Sequence, residues 1–371
     1  MEQGVEGHHR LIHLSMPVSE IFGAGTCGKY LLREFAKTRV SYSFVGENLG
    51  LDEQTNELVS RNLRLLTEDL DYPLLQFTGP DLEQQTEYRG KPNAAYLFSE
   101  WEPITPKQIE NLKAFNVLIA GSGWNAGVIS DCGFECHSVP QGVDREIFYP
   151  VARHPGAFTI YSGGKYEHRK AQDLVIKAVK VLQQRHKDIL LVASWFNIWQ
   201  NDDHYKEARE SGVKLVGLPL CSHRGLAWHM NQTDVGLFPN RCEGGTNLML
   251  MDYLACGKPV VANISTGQED VLDPSYAFCI FGKDDDLVEE MIESVEVLYR
   301  DKSRRLKMGR EADLAMDKWS WKRTANGLLE AINHSKNTLN PCAAQDARVE
   351  AVSDVEMAVP SDSKIFKTQQ S

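Results

Sequence analysis

Short apolar segments alternate with helical patterns along this chain, and the alternation occurs twice. The first series has strand-like segments at residues 11–18, 40–45, 94–98 and 117–120, with helical patterns at 29–37, 51–69 and 106–115. The second series has strand-like segments at residues 158–162, 189–194, 214–217, 235–238 and 259–262. Such alternation is typical of a parallel sheet covered by helices on both faces. We therefore predict an α/β protein with two Rossmann-like, doubly wound domains that face a cleft.

The change between the two series falls in a proline-containing stretch at residues 145–155. At 371 residues the chain is long enough for two separate cores. We predict a first domain over residues 1–150 and a second over 151–334, with a last helix at 319–332 that crosses back to the first domain. Residues 335–371 are rich in Ser, Asp, Gln, Lys and Ala, and this composition predicts a disordered tail.

The overall charge argues against one class of partner. A net charge of -11 disfavours nucleic acid, because its partners usually present a basic face. One local basic run contains Arg304, Arg305, Lys307 and Arg310. We interpret it as a solvated helix face, and peripheral contact with an anionic membrane is the alternative.

The cysteines and the N-terminus indicate a cytoplasmic protein. Eight cysteines are scattered without a C-x-x-C pair, which is typical of reduced thiols. Cys132 and His137 have no second ligand pair at zinc spacing, so we expect no metal. The first nine residues are polar and acidic, and no apolar run reaches the ~18 residues of a membrane-spanning helix.

The segment 241–261 carries the most chemical information. Glu243 precedes two glycines, Gly244 and Gly245, and a helix is predicted to begin at Thr246 and Asn247, which are both good N-cap residues. Free backbone N–H groups and the helix dipole favour an anion at this position. A carboxylate next to such an end suits a ligand with both hydroxyls and phosphates, and a nucleotide-sugar is one.

Two other segments of the sequence have similar chemistry. Residues 163–170 form a glycine turn after a strand and carry the cations Lys165, Arg169 and Lys170. Such a turn brings positive charge to a diphosphate, while Gly164 lets the backbone approach closely. Residues 139–150 form a turn and linker at the domain junction.

Together these three segments resemble the retaining GT-B glycosyltransferases of the large group 1 (family 4) class. The Gln-Gly-Val-Asp-x-x-x-Phe-x-Pro run at 141–150 resembles the interdomain signature of that family. Gly164 and Lys165 followed by Lys170 resemble its Gly-Arg-(x)4-Lys element, and residues 243–261 resemble its Glu-(x)7-Glu motif. The resemblance extends more weakly over residues 10–335.

This sequence departs from the family pattern at three positions. Lys165 stands where the family has Arg, which keeps the charge but loses the bidentate geometry. Asp252 replaces the second Glu, one residue further on. The first-domain segment where the family often has a His reads Phe-Ser-Glu-Trp-Glu-Pro at 98–103. Either Glu100 takes over that role or the activity is reduced.

The resemblance implies a glycosyltransferase of the EC 2.4 type that transfers a sugar from a nucleotide-sugar donor with retention of configuration. It implies no obligatory metal and no cofactor, and the acceptor is an unknown sugar, lipid or protein. Lys165 and Lys170 would neutralise the leaving diphosphate, Glu243 would hold donor-sugar hydroxyls, and Asp252 the ribose. The remaining donor-side residues are Gly164, Gly244, Gly245, Thr246 and Asn247, and, in a first-domain loop, Gly23, Gly25 and Thr26.

A nicotinamide-dependent oxidoreductase is the alternative enzyme. Gly23, Gly25 and Gly28 match the G-x-G-x-x-G dinucleotide fingerprint between a strand and a helix, and Glu47 lies near the end of the next strand. However, residues 17–22 separate the strand from the first glycine, which is looser than the tight turn requires. This alternative also leaves residues 241–261 without a role.

A third interpretation is a sugar-nucleotide-binding protein of the same fold without catalysis. Lys165, Asp252 and the missing first-domain histidine are the departures that favour it. Transfer or hydrolysis of a sugar nucleotide would exclude it.

Overall fold

The computed structural model describes residues 11–44, 50–100, 102–154, 156–199 and 203–337. These residues form two six-stranded, fully parallel sheets with helices on their faces, so the predicted pair of doubly wound domains is confirmed. Glu47 and residues 338–371, which include most of the predicted tail, lie outside the described residues.

The first sheet has the strand order β2-β1-β3-β4-β5-β6. Its strands are β1 (Ile12–Met16), β2 (Val40–Phe44), β3 (Leu74–Phe77), β4 (Asn93–Leu97), β5 (Val117–Ala120) and β6 (Cys136–Ser138). Neighbouring strands are in parallel register, as in the pairing of Ile12 with Val40. The five residues of β1 are all buried, because the strand is covered on both faces.

The second sheet has the strand order β12-β11-β10-β7-β8-β9. Its strands are β7 (Phe158–Lys165), β8 (Ile189–Phe196), β9 (Leu215–Gly217), β10 (Val235–Phe238), β11 (Val260–Asn263) and β12 (Ala277–Ile280). The longest pairing joins the eight residues of β7 to the eight of β8. This pairing carries β7 through Gly164 to Lys165, so the predicted glycine turn is the end of a strand.

Each sheet has a point at which the strand order reverses. In the first sheet this point lies between β1 and β3, and in the second between β10 and β7. Ligands of open parallel sheets bind at the carboxyl ends of the strands that flank such a point. The segments that follow these four strands are therefore the part of each domain where a site is expected.

Helices cover both sheets. Those of the first half are α1 (Gly23–Phe35), α2 (Glu53–Asn62), α3 (Pro106–Leu112) and α4 (Gly123–Asp131). Those of the second half are α5 (Gln172–Arg185), α6 (Lys206–Glu210), α7 (His223–Asn231), α8 (Leu248–Ala255), α9 (Asp284–Arg300), α10 (Lys302–Met316) and α11 (Trp321–Asn337). Among the described residues, none of the helices combines the length and apolar character needed to cross a membrane.

The last helix leaves the second half of the chain and packs on the first sheet's domain. Trp321, Leu328 and Ile332 of α11 are buried in the same apolar cluster as Leu14 of β1 and Leu31 of α1. The helix runs to Asn337, so residues 335–337, which we expected to belong to the tail, are helical.

The predicted loop over residues 23–28 is wrong, because these residues form the beginning of α1. A Cβ atom on Gly25 would lie 2.4 Å from the Ser19 Cβ, and one on Gly28 would lie 1.9 Å from the Pro17 carbonyl oxygen. The glycines therefore let the helix pack against the chain that follows β1. Sequence reasoning took them for loop residues because glycine weakens a helix in isolation.

Candidate active site

A cavity of about 410 Å³ lies between the two sheets' domains. The first domain contributes residues after β1 and β3, such as Phe22 and Thr78. The second contributes Lys165 at the end of β7 and Glu243 after β10. The cavity thus lies at the reversal points of both sheets. Most of the predicted site residues line this cavity. They are Gly23, Thr26 and Glu100 from the first domain and Gly164, Lys165, Lys170, Glu243, Gly245, Asn247 and Asp252 from the second.

Lys170 and Glu243 meet in this cleft. The Lys170 ammonium contacts one Glu243 carboxylate oxygen, and Arg169 donates to the other at 3.1 Å. Asn240 donates a further hydrogen bond to Glu243. Burial raises the pKa of Glu243, but the charges of Lys170 and Arg169 outweigh that effect and hold the pKa below its ordinary value. Glu243 is therefore a buried, ionised and fully engaged carboxylate.

Arg241 holds the two loops of this ion pair together. Its backbone N–H donates to the Arg169 carbonyl at 2.8 Å. Its guanidinium forms two hydrogen bonds to Asp173, at 3.0 and 2.8 Å, and two more to Asp284. A bidentate guanidinium fixes both position and orientation. The segment that carries Lys170 is thus positioned against the segment that carries Glu243.

The backbone after Glu243 has the free donors that an anion site needs. The Glu243 N–H is used, since it donates to Thr266 Oγ1 at 2.8 Å. In contrast, the N–H groups of Gly245, Thr246 and Asn247 donate no hydrogen bond within the described part of the chain. They precede the first turn of α8, where such donors lack intrahelical partners.

The predicted caps of this helix are only partly right. Asn247 is the N-cap residue, but it has a φ of 62° and its side chain makes no cap hydrogen bond. Instead, its amide donates to Gln268 at 2.7 Å. Thr246 is fully buried and its hydroxyl lies 2.9 Å from Met251 Sδ. Neither side chain caps the helix, so the end of α8 stays open to a ligand.

Lys165 pairs with a different carboxylate from Lys170. Its ammonium pairs with Glu167 at 2.8 Å and lies 4.7 Å from the ring centre of Trp199. The lysine is about one-third exposed, which leaves it accessible from the cleft. It carries positive charge to the cleft wall.

Glu100 is the first-domain carboxylate of the cleft. Glu100 forms an ion pair with Arg169, with 2.6 Å between Glu100 Oε1 and Arg169 Nη2, and this contact joins the two domains. Burial raises the pKa of Glu100, and this effect outweighs the opposing effect of Arg169. The three cations Lys165, Arg169 and Lys170 are thus matched by the three carboxylates Glu100, Glu167 and Glu243.

Asp252 differs from Glu243 because it has no counter-charge. In the described residues its carboxylate has neither an ion pair nor a hydrogen-bond donor, although it lines the cleft. Burial, with a smaller effect from Asp144, raises the pKa of Asp252 well above its ordinary value. A buried carboxylate without a partner costs stability, which is expected of a group kept for a ligand.

Gly244 lies at the contact between the domains rather than on the cleft wall. Its carbonyl accepts a hydrogen bond from Ser122 Oγ at 2.8 Å. A Cβ atom on Gly244 would lie 2.5 Å from the Ser99 carbonyl oxygen, a backbone atom of the other domain. Glycine is needed here because the two backbones approach so closely.

Sequence reasoning missed several residues that build the site. Arg169 was noted only as a cation in the basic turn, yet it contacts Glu100, Glu167 and Glu243. Its position beside Lys170 was the available signal. Asn240 and Ser122 gave no signal, because their roles depend on contacts with segments distant in the sequence.

A metal site was not expected. Within the described ranges, no group of three or more His, Cys, Asp or Glu side chains is arranged to hold a metal ion. That the reaction needs no metal stays a prediction.

Part of the chain is similar in sequence to known glycosyltransferases. Residues 157–301 match the family described as Glycosyl transferases group 1. The chain is 26% identical over 208 residues to a D-inositol 3-phosphate glycosyltransferase of Pseudarthrobacter chlorophenolicus, covering 52% of this chain and 49% of the relative. It is 29% identical over 177 residues to a GDP-mannose-dependent alpha-(1-6)-phosphatidylinositol monomannoside mannosyltransferase of Mycolicibacterium smegmatis, covering 44% and 45%. The chain thus spans about half the length of the curated relatives it matches.

Solved structures share the fold at low identity. Sucrose-phosphate synthase from Thermosynechococcus elongatus superposes with a TM-score of 0.65 at 14% identity, covering 88% of this chain and 99% of that one. Anabaena HepE in complex with UDP and glucose gives 0.64 at 14% identity, covering 88% and 100%. Alignments that cover 88% of this chain support the GT-B arrangement of two domains.

Proposed function

We propose that this chain, whose residues 157–301 match the glycosyl transferase group 1 family, is a glycosyltransferase that transfers a sugar from a nucleoside-diphosphate sugar to an acceptor hydroxyl with retention of configuration. The observation that carries the proposal is the contact of Lys170 with Glu243 beside the open end of α8, inside the interdomain cleft. This arrangement combines fixed positive charge, free N–H donors and a carboxylate. A donor with a diphosphate and sugar hydroxyls needs all three.

The departing diphosphate gives the three cations of the cleft a role in the proposed reaction. Lys165, Arg169 and Lys170 are each neutralised by glutamates in the described residues. A donor diphosphate would replace part of this carboxylate charge, and the cations would stabilise the negative charge that develops as the sugar departs. The N–H groups of Gly245 and Asn247 would add donors from the helix end.

The contacts of Glu243 argue against a covalent enzyme-bound sugar as the route to retention. A carboxylate that is held by Lys170, Arg169 and Asn240 is a poor nucleophile, because each contact stabilises its charge. It is well suited to accept hydrogen bonds from donor-sugar hydroxyls. We infer a front-face transfer, in which the acceptor hydroxyl attacks on the side of the departing diphosphate.

A donor screen tests the proposed function. Some relatives are named for GDP-mannose and the HepE complexes contain UDP, so UDP, GDP and ADP are compared by thermal shift, with NADH as the control. A ligand that binds only the folded state raises Tm as its concentration exceeds Kd. We expect one nucleoside diphosphate to raise Tm and NADH not to. The matching sugar nucleotide should then be hydrolysed or transferred, with the product anomer read by NMR.

The outcomes of that screen separate the three interpretations. Stabilisation by NADH alone would contradict the proposal in favour of the oxidoreductase. A nucleotide that binds while its sugar nucleotides stay intact with every acceptor would indicate the non-catalytic protein. An inverted product anomer would contradict retention.

Replacing Asp252 by asparagine is expected to separate stability from donor binding. Because the folded-state pKa of Asp252 is raised, its contribution to stability is present below the unfolded pKa and is lost as pH rises through the folded pKa. D252N should therefore raise Tm by roughly 2 °C at pH 8 and have little effect near pH 4. It should weaken nucleotide binding by about 10-fold or more, since one of the two carboxyl oxygens that can accept from the ribose becomes an NH2 donor.

The control for this variant is D131N, which changes an exposed carboxylate at the end of α4. Tm and the Kd for the nucleotide should both stay at wild-type values. Unchanged nucleotide affinity in D252N would contradict a role in donor binding.

A further inference from the structure

The first-domain wall of the cleft is apolar and aromatic. Phe22 follows β1, Phe77 ends β3, and Phe98 follows β4, and all three line the cavity. Thr78 and Pro80 complete this wall. The donor elements lie on the opposite domain, so this wall faces the side from which an acceptor would approach.

The aromatic side chains of this wall hold one another in place. The Phe77 and Phe98 rings are stacked, with centroids 5.2 Å apart and an interplanar angle of 16°. Phe98 also packs edge-on against the buried Tyr96 at 4.7 Å, and Phe22 packs edge-on against Trp199, a residue of the second domain, at 5.6 Å. Such contacts fix ring orientation. The wall is therefore a preformed apolar platform, which suits the C–H face of a sugar or cyclic polyol.

The ionisable side chains that line this wall are two carboxylates, and each has a cationic partner behind or across from it. Glu20 and Glu100 line the cavity from the first domain. Lys29 is fully buried and is committed to Glu20 and to Asp52, which lies 2.8 Å away. Across the stretches of the first domain that the structure describes, no Lys or Arg lines the cavity. An acceptor on this wall meets carboxylates and aromatic rings.

The cations of the second domain are not available to the acceptor. Lys165, Arg169 and Lys170 already contact glutamates, and the donor diphosphate requires them during transfer. A phosphate group on the acceptor would carry about -1.5 to -2 charges at neutral pH. It would lie near Glu20, Glu100 and the donor diphosphate, and the cations there are already paired with Glu20 and Glu100 or with the diphosphate.

We propose that the acceptor of this chain is an uncharged saccharide or cyclic polyol, and that phosphorylated acceptors are excluded by charge. This inference rests on the proposed function and narrows its acceptor. The apolar face of the ring stacks on Phe77 and Phe98, and Glu20 and Glu100 accept hydrogen bonds from its hydroxyls. The proposal separates this chain from relatives whose names specify an inositol phosphate or a phosphatidylinositol acceptor.

Matched acceptor pairs test the proposal on the full chain. With the donor found in the nucleotide screen, myo-inositol is compared with D-inositol 3-phosphate, and glucose and maltose are each compared with their phosphate esters. We expect kcat/KM to be at least about 10-fold higher for the uncharged member of the productive pair. Preference for a phosphorylated member would overturn the inference.

Acceptor binding gives a second readout that does not depend on turnover. Saturation-transfer NMR of UDP- or GDP-loaded protein is recorded with a panel of uncharged methyl glycosides and with glucose 6-phosphate. Signals from ring protons of at least one methyl glycoside, and none from the phosphate ester, support the inference. Binding of the ester alone, or of neither class, overturns it.

A cation added to the first-domain wall tests whether charge selects the acceptor. P80K places a cation at an exposed position of the wall, and S60K adds the same charge to the exposed face of α2 in the same domain. P80K should shift the kcat/KM ratio toward the phosphorylated member by about 10-fold, and S60K should leave it unchanged. An unchanged ratio in P80K would show that charge does not select the acceptor.

Failure of the inference can be distinguished from failure of the proposed function. Nucleotide-dependent stabilisation and slow donor hydrolysis without acceptor depend on the second-domain residues such as Lys170 and Glu243. If both are present and the phosphorylated acceptor is preferred, only the inference fails. If both are absent, the proposed function fails.

Discussion

Replacing Lys170 by alanine is expected to lower kcat by about 10²- to 10³-fold. In the proposed reaction, negative charge develops on the departing diphosphate, and Lys170 is the most buried of the three cations Lys165, Arg169 and Lys170. Its side chain is 10% exposed, so water compensates poorly for its loss. Removal of one group that stabilises such charge typically costs this much. The measurement is single-turnover transfer at saturating donor.

The stability of this variant has to be measured alongside its activity. Without Lys170, the buried Glu243 keeps only Arg169 as a cationic partner, and a buried charge that loses a partner is costly. We therefore expect a lower Tm as well. K170R restores the positive charge but not the shape of the lysine side chain, so it should recover Tm more fully than kcat.

The matched control is K180A, which removes an exposed lysine from α5 in the same domain. It should leave kcat and Tm unchanged. A folded K170A variant that loses less than about 10-fold in kcat would show that the lysine does not stabilise the leaving group.

Replacing Gly244 by alanine is expected to lower kcat/KM by about 10²-fold through displacement of Glu243. The added Cβ would lie 2.5 Å from the Ser99 carbonyl oxygen and 2.8 Å from the Phe98 carbonyl carbon. Ser99 cannot yield easily, because Asn125 accepts its N–H at 3.0 Å and donates to its carbonyl at 3.1 Å. The loop that carries Glu243 must therefore move, and a shift of about 1 Å can cost this much activity.

The control for this variant is G127A in α4, where an added Cβ meets no atom within 4 Å. Alanine should stabilise the helix by about 0.5 to 1 kcal/mol and leave kcat/KM unchanged. G244A activity equal to that of G127A would contradict the need for close interdomain contact at this residue. Tm separates displacement of the loop from global unfolding.

Local patterns in the sequence were enough to predict most of the fold. The helix α3 begins after Thr105 as predicted, because Thr105 and Gln108 form a capping box that both residues encode locally. The strand β5 was predicted over residues 117–120, because its four residues are all apolar and buried. The short strands β3, β6 and β12 were not predicted. β6 reads Cys-His-Ser and β3 contains the buried Gln76, so neither is the continuous apolar run that made β5 recognisable.

The site was predictable where the signal was local. Lys170 and Glu243 belong to recognisable segments, and the structure brings them into contact. The ion pair between Arg169 and Glu100 was not predictable, because it joins two domains across the cleft. The beginning of α1 was missed for a similar reason. Packing of Gly25 and Gly28 against Pro17 and Ser19 overrides the low helix propensity of glycine.

The path of α11 makes the halves of this chain interdependent for folding. Val143 pairs with Ser320 beside the linker, and α11 then fills the first domain's core with Trp321, Leu328 and Ile332. Cleavage of the chain in the 145–155 segment would leave the N-terminal fragment with an uncovered apolar surface, so it should aggregate unless the C-terminal fragment is supplied in trans. Exchange of donor specificity by recombination with a homologous protein would therefore require two junctions, one near residue 150 and one near residue 320.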